Sequence, residues 1–234
     1  MSEQPSLANA RDTLVIELNT DQPVGTDEAG AARVSRYLHE VGEITGLARL
    51  DEPRQHLSPL YGLSGWAPLA DRSAVHLYAW DDRKPSFVSV DIATRTQFPE
   101  RELIDHAMTY FGADPADTVH KTMHRESNPA WRELAPNIYR QRLALRGTLD
   151  QPLPIEVMRD FLPALAQELE MRVLAAPFTA GDTAWMHWET SGVLADTSDQ
   201  LDLDIYTCRP FSPEAAADFT RTKLGVRELV YKNF

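Results

Sequence analysis

The 234-residue sequence has a single cysteine, Cys208, so no disulfide can close within the chain and nothing points to an oxidising compartment. It has no apolar run near the roughly 20 residues that a membrane-crossing helix needs. Residues 1–11 are polar and lack the basic-then-apolar layout of a secretion signal, which points to a cytoplasmic protein. Positive charge is scarce. Lys and Arg number 23 against 35 Asp and Glu, a net charge of −12, and such a surface repels nucleic acid and anionic lipid. No glycine-rich phosphate loop and no Gly-x-Ser-x-Gly elbow is found. His120 and His124 have helical i, i+4 spacing, but no third ligand lies near them in sequence, so no metal is expected.

What the sequence does contain is a repeat. VSVDIATRTQFPERELIDHAMTYFG (88–112) and LDLDIYTCRPFSPEAAADFTRTKLG (201–225) align at an offset of 113 with seven identities in 25 positions, among them Asp91/Asp204, Thr94/Thr207 and Gly112/Gly225. About one or two would arise by chance. Each window reads as an alternating strand, a proline-bearing turn and an amphipathic helix ending at glycine. Upstream, β-branched content and alternation predict a strand over Thr13–Leu18, a helix over Gly30–Gly42 and a strand beginning at Leu47–Leu50. In the second half, strands are expected over Arg142–Gly147 and Met171–Ala175, around a helix over Ile155–Glu170. This gives a first repeat over residues 1–112, a proline-bearing linker over 113–136 and a second repeat over 137–234. Strands with helices on one face make an α+β protein with antiparallel sheets packed in layers.

Two further stretches add to the pattern. HLSPLYGLSGWAPLADRSAVHLYAW (56–80) precedes VSVDIAT in the first half, and HWETSGV (187–193) precedes DIYTCRPFSPEAA (204–216) in the second. Together they resemble the core signature of the pyruvoyl-dependent S-adenosylmethionine decarboxylases: a Ser-Gly turn, a Glu-Ser cleavage site, a strand ending in Thr-Trp and a strand ending in Asp-x-x-Thr-Cys. The resemblance implies a four-layer α/β/β/α sandwich from two tandem, diverged copies. It also implies self-cleavage at a serine that becomes a pyruvoyl group, and use of that carbonyl as an electron sink for decarboxylation of S-adenosylmethionine or a related amino acid, with polyamine-type metabolism as the setting. A small S-adenosylmethionine-like substrate and a monomer or homodimer follow from it.

The same resemblance nominates the site. Cys208 stands at the proton-donating cysteine, with Arg95 as its counterpart in the first copy. Ser73 and Ser191 compete for the cleavage position, Ser73 after Arg72 and Ser191 near Glu189. The assisting histidine should follow its serine by five residues, where Tyr78 and Asp196 stand. The tryptophan-to-serine spacing differs, seven residues from Trp66 to Ser73 and six from Trp185 to Ser191, which suggests a one-residue slip between the copies. Glu17 and Ser64 complete the expected substrate contacts. The alternative to a decarboxylase is an uncleaved relative that binds a nucleoside or amino-acid ligand, and the departures at Arg72, Tyr78, Arg95 and Asp196 favour it.

Overall fold

The computed structural model describes residues 12–58, 62–123, 141–180, 183–188, 191–197, 200–207 and 209–233. The chain divides into two compact units, the first within residues 11–137 and the second within 138–234. The first contains β1 (Asp12–Thr20), α1 (Glu28–Thr45), β2 (Arg54–Ser58), β3 (Gly62–Leu69), β4 (Ser73–Trp80), β5 (Ser86–Thr94), α2 (Glu100–Phe111) and β6 (Thr118–Met123). The second contains β7 (Gln141–Thr148), α3 (Ile155–Glu168), β8 (Phe178–Ala180), β9 (Thr183–Trp188), β10 (Ser191–Thr197), β11 (Gln200–Thr207), α4 (Pro213–Leu224) and β12 (Arg227–Asn233). Element order is identical. Sheet order is identical too: β2-β3-β4-β5-β1-β6 in the first unit and β8-β9-β10-β11-β7-β12 in the second, with every neighbouring pair antiparallel. The repeat seen in 25-residue windows is thus a repeat of a whole α+β unit.

Each unit packs two helices on one face of its sheet. In the first, Leu14, Ile16 and Leu18 of β1 and Val88, Val90 and Ile92 of β5 meet Val34, Leu38 and Val41 of α1 and Leu103, Ile104 and Ala107 of α2. Period two on the strands and about 3.6 on the helices put these residues on facing surfaces. In the second, Leu143, Leu145, Leu203 and Ile205 meet Met158, Leu162, Leu165 and Ala217. Burying each such side chain contributes about 1.5–3 kcal/mol. Capping follows the sequence signals. The Asp27 carboxylate accepts from Gly30 N at 2.9 Å and the Ser212 hydroxyl from Ala215 N at 3.1 Å. The paired glycines Gly112 and Gly225 end α2 and α4 in the left-handed conformation, φ 70° and 65°. Among the described residues no helix is long and apolar enough to cross a membrane.

Some expectations change. Residues 118–123, expected in the linker, form β6 along β1, so the first unit runs past residue 112. Leu47–Leu50 and Met171–Ala175 are not strands. Each contributes one isolated bridge, Arg49 to Leu69 and Val173 to Trp188. In the latter run the amides of Leu174 and Ala175 both turn to the single carbonyl of His187, which breaks ladder periodicity.

Candidate functional site

Opposed residues of antiparallel strands share a face, so cross-strand register shows what stands together. On the face of the first sheet turned away from the helices, the register runs His56 to Ser64, Ser64 to Tyr78, Tyr78 to Ser89 and Ser89 to Glu17. Three of the expected substrate contacts, Glu17, Ser64 and Tyr78, therefore occupy one transverse row. From Ser64 to Glu17 the row crosses three inter-strand spacings, about 14 Å. The adjacent row on the same face is Trp66, His76, Asp91 and Val15.

The two rows are buried. Glu17, Ser64 and Ser89 are 0% exposed, Tyr78 1%, Asp91 2% and His76 5%. The Ser64 hydroxyl donates to the His56 carbonyl at 3.3 Å, and the indole of Trp66 lies 6.4 Å from the His76 ring, centroid to centroid. Ser89 Oγ, fully enclosed, makes no hydrogen bond among the described residues. Buried carboxylates, a histidine and three hydroxyls on a sheet face are costly to the fold, and such groups concentrate where a protein binds or reacts. In chemical terms the face offers an acid–base pair of neighbours in His76 and Asp91, hydroxyl donors and acceptors in Ser64, Tyr78 and Ser89, a second carboxylate in Glu17 and a stacking surface in Trp66.

His76, Asp91 and Ser89 were not singled out from the sequence. Their signal was available: a polar residue at every second position inside an otherwise apolar strand, His76 and Tyr78 in SAVHLYAW, Ser89 and Asp91 in SFVSVDIAT.

Ser73 lies elsewhere. It is the first residue of β4, fully buried, and shares the alternation of Val75, Leu77 and Ala79, which face the helices. Its hydroxyl donates to the Asp71 carbonyl at 3.4 Å. The two preceding residues, Asp71 and Arg72, are left-handed at φ 53° and 58°. Ser191 opens β10 at the same place in the second unit, opposite Thr207 on one side and Trp188 on the other. The suggested slip between the copies is absent. Trp66 opposes His76 and Trp185 opposes Leu194, each three residues past its serine. The extra residue is taken up in the hairpin turn, since Leu69 opposes Ser73 across three residues and Trp188 opposes Ser191 across two. Tyr78 and Asp196 are likewise equivalent, opposing Ser89 and Asp202. Arg95 follows the end of β5 and is half-buried. Cys208 and Glu189 lie outside the described residues. His120 lies on strand β6 and not on a helix, and His124 lies outside the described residues.

On the matching face of the second sheet, Arg142 grips Asp204 through Nε at 3.0 Å and Nη2 at 2.7 Å, and Arg146 reaches Asp202 at 3.2 Å. All four residues are buried or nearly so. Asp204 is the repeat partner of Asp91. By register, Arg142 and Arg146 take the places of Thr13 and Glu17.

No family model matches this sequence, and no curated protein matches it. Among solved structures it is similar to the adenosylmethionine decarboxylase from Aquifex aeolicus VF5, with 13% identity, a TM-score of 0.39, 53% of this chain and 98% of that one covered. It is also similar to an unknown protein from Galdieria sulphuraria, with 11% identity, a TM-score of 0.21, 96% and 99% covered. Both similarities are distant and carry no chemistry with them.

Proposed function

We propose that this chain is an S-adenosylmethionine-decarboxylase-like protein that binds a small amino-acid or nucleoside ligand, of the S-adenosylmethionine type, on the polar face of its first unit without self-cleavage. The observation that carries this reading is the single row of Glu17, Ser89, Tyr78 and Ser64, four side chains from four strands, buried on one face. An amino-acid or sulfonium cation would meet Glu17 and Asp91, and a ring would stack on Trp66. The residues do not fit a pyruvoyl centre built on Ser73. That serine has the helix-facing alternation, follows Arg72 in place of glutamate, and has Tyr78 and Arg95 where a histidine and a cysteine would stand.

One observation favours a second reading, a pyruvoyl-type decarboxylase. Ser73 and Ser191 both open a strand directly after a hairpin turn, at one and the same register. Intact-mass measurement separates the two. A single species at 26.3 kDa is expected for the binding protein. Two fragments divided near residue 72 or 190, one of them reactive toward a carbonyl reagent, would establish the decarboxylase. Calorimetric titration with S-adenosylmethionine tests the site itself. Binding should weaken at least tenfold in Tyr78→Phe and in Asp91→Asn, and equal affinity in all three proteins would remove the polar face from the reading.

A further inference from the structure

On the other side of the first sheet, where α2 overhangs the edge strand β6, the two do not close on each other. The core-facing row ends at Leu14, Ile16 and Leu18 of β1. The next positions outward, Thr118 opposite Leu18 and His120 opposite Ile16, carry small or polar side chains. They leave a cavity of about 420 Å³. It is lined by the apolar Ile104, Met108 and Pro115 and by Glu100, Arg101, Asp105, Thr118 and His120. A cavity of this volume with an apolar floor and a few polar groups has the usual make-up of a small-molecule site.

The second unit carries an aromatic ring at the matching edge-strand position. The register Ile16–Val90 in β1 and β5 corresponds to Leu145–Leu203 in β7 and β11, so His120 and Tyr231 are equivalent, opposing Ile16 and Leu145. Tyr231, 38% exposed, donates its hydroxyl to Glu214 Oε1 on α4 at 3.1 Å. His120 is shorter. Its Nδ1 stops 3.9 Å from Glu100, beyond hydrogen-bond reach. The first unit therefore lacks a ring with a donor head at the position where the second supplies one from its own chain.

We propose that the slot between α2 and β6 binds a small arylalkylamine, its ring on Ile104 and Met108 and its ammonium on Glu100. Asp105 already holds the Arg101 guanidinium, Nε to its two oxygens at 3.1 and 2.9 Å, so Glu100 is the rim carboxylate that receives a cation. Glu100 and Asp105 outnumber Arg101 on the cavity's lining, which opposes an anion. The thioether of Met108 suits an aromatic edge.

The test is titration of the full chain, carbon-13 labelled at Ile and Met methyls, with phenethylamine and with 3-phenylpropionate, which has a similar body and the opposite charge. Saturating shifts at Ile104 and Met108 are expected with the amine, with at least tenfold weaker binding of the acid. Glu100→Gln, at the exposed start of a helix, should weaken the amine about tenfold. His120→Tyr, which puts a longer ring at the edge of the slot, should crowd it and abolish binding. Equal binding of amine and acid, full affinity in His120→Tyr, or no shift at Ile104 and Met108 would each overturn the proposal. The slot and the polar row lie on opposite faces of the sheet, so loss of S-adenosylmethionine binding and loss of amine binding are separate results.

Discussion

The two units share element order, sheet order and serine register, yet their helix-distal faces solve one problem in different ways. Both bury acids there. In the second unit Asp204 and Asp202 are matched by Arg142 and Arg146 from the adjoining strand, two ion pairs contained within one sheet. In the first unit the strand equivalent to β7 carries Thr13, Val15 and Glu17, and the same face adds His76, Tyr78 and Ser89. A face whose charges answer one another on neighbouring strands has the character of structure. The first face gathers carboxylates, a histidine and hydroxyls with no arginine on its first strand, a different chemistry at the same register.

The sharpest way to break this comparison is to remove one acid of the second unit. A buried ion pair that loses one partner leaves the other charge uncompensated, so Asp204→Ala should cost about 3–5 kcal/mol. Urea unfolding would register it as a lowered midpoint. An unchanged midpoint would mean that the paired arginines do not distinguish the faces at all. The double exchange of Arg142→Asp with Asp204→Arg should recover part of the loss.

A smaller effect tests packing on the helix side. β1 and β7 are equivalent, but Leu18 in one stands where Gly147 stands in the other, opposing Val88 and Leu201. A Cβ built on Gly147 would fall 2.0 Å from Val226 Cγ1 and 3.1 Å from Leu229 Cδ1, so the residues after α4 occupy the space that Leu18 fills in the first unit. Gly147→Leu should therefore destabilise by about 1–3 kcal/mol through overpacking. A neutral result in thermal unfolding would show that Val226 and Leu229 yield more readily than their contacts suggest.

Much of this architecture was legible in the sequence because the central strands and the helices obey strict periods. The edges were not. In β6 (TVHKTM) and β12 (RELVYKN) residues 118–120 and 227–231 are half-buried or exposed, so no clean apolar alternation marks them, and β6 read as linker. Leu47–Leu50 and Met171–Ala175 erred in the other direction, since a short apolar run has too few residues to fix a period. At the site, Ser64 and Tyr78 came from resemblance to a family signature and Glu17 from its place as a carboxylate in the first strand, each on a different strand. Their alignment in one row depends on register, which is a long-range property that no single segment contains. The same holds for the serines, whose spacing from tryptophan counts residues through a turn while their register does not.

The finest comparison concerns the turn that leaves the last shared strand. Thr94 and Thr207 are repeat partners, both fully buried. Thr94 donates its hydroxyl to the Thr96 carbonyl at 2.5 Å, and Thr207 donates to the Arg209 carbonyl at 3.1 Å. Thr207 Oγ1 also accepts from the Arg209 amide at 2.9 Å, a second bond that no hydrogen bond of Thr94 mirrors. Replacing each with valine preserves shape and strand preference while removing the hydroxyl, so the difference isolates hydrogen bonding. Thr94→Val should cost about 1 kcal/mol, and Thr207→Val about 2 kcal/mol, because it also orphans a backbone donor next to Cys208. Equal losses in denaturant unfolding would mean that the Arg209 amide finds water in the variant, and that the two turns, unlike the two faces, have remained equivalent since duplication.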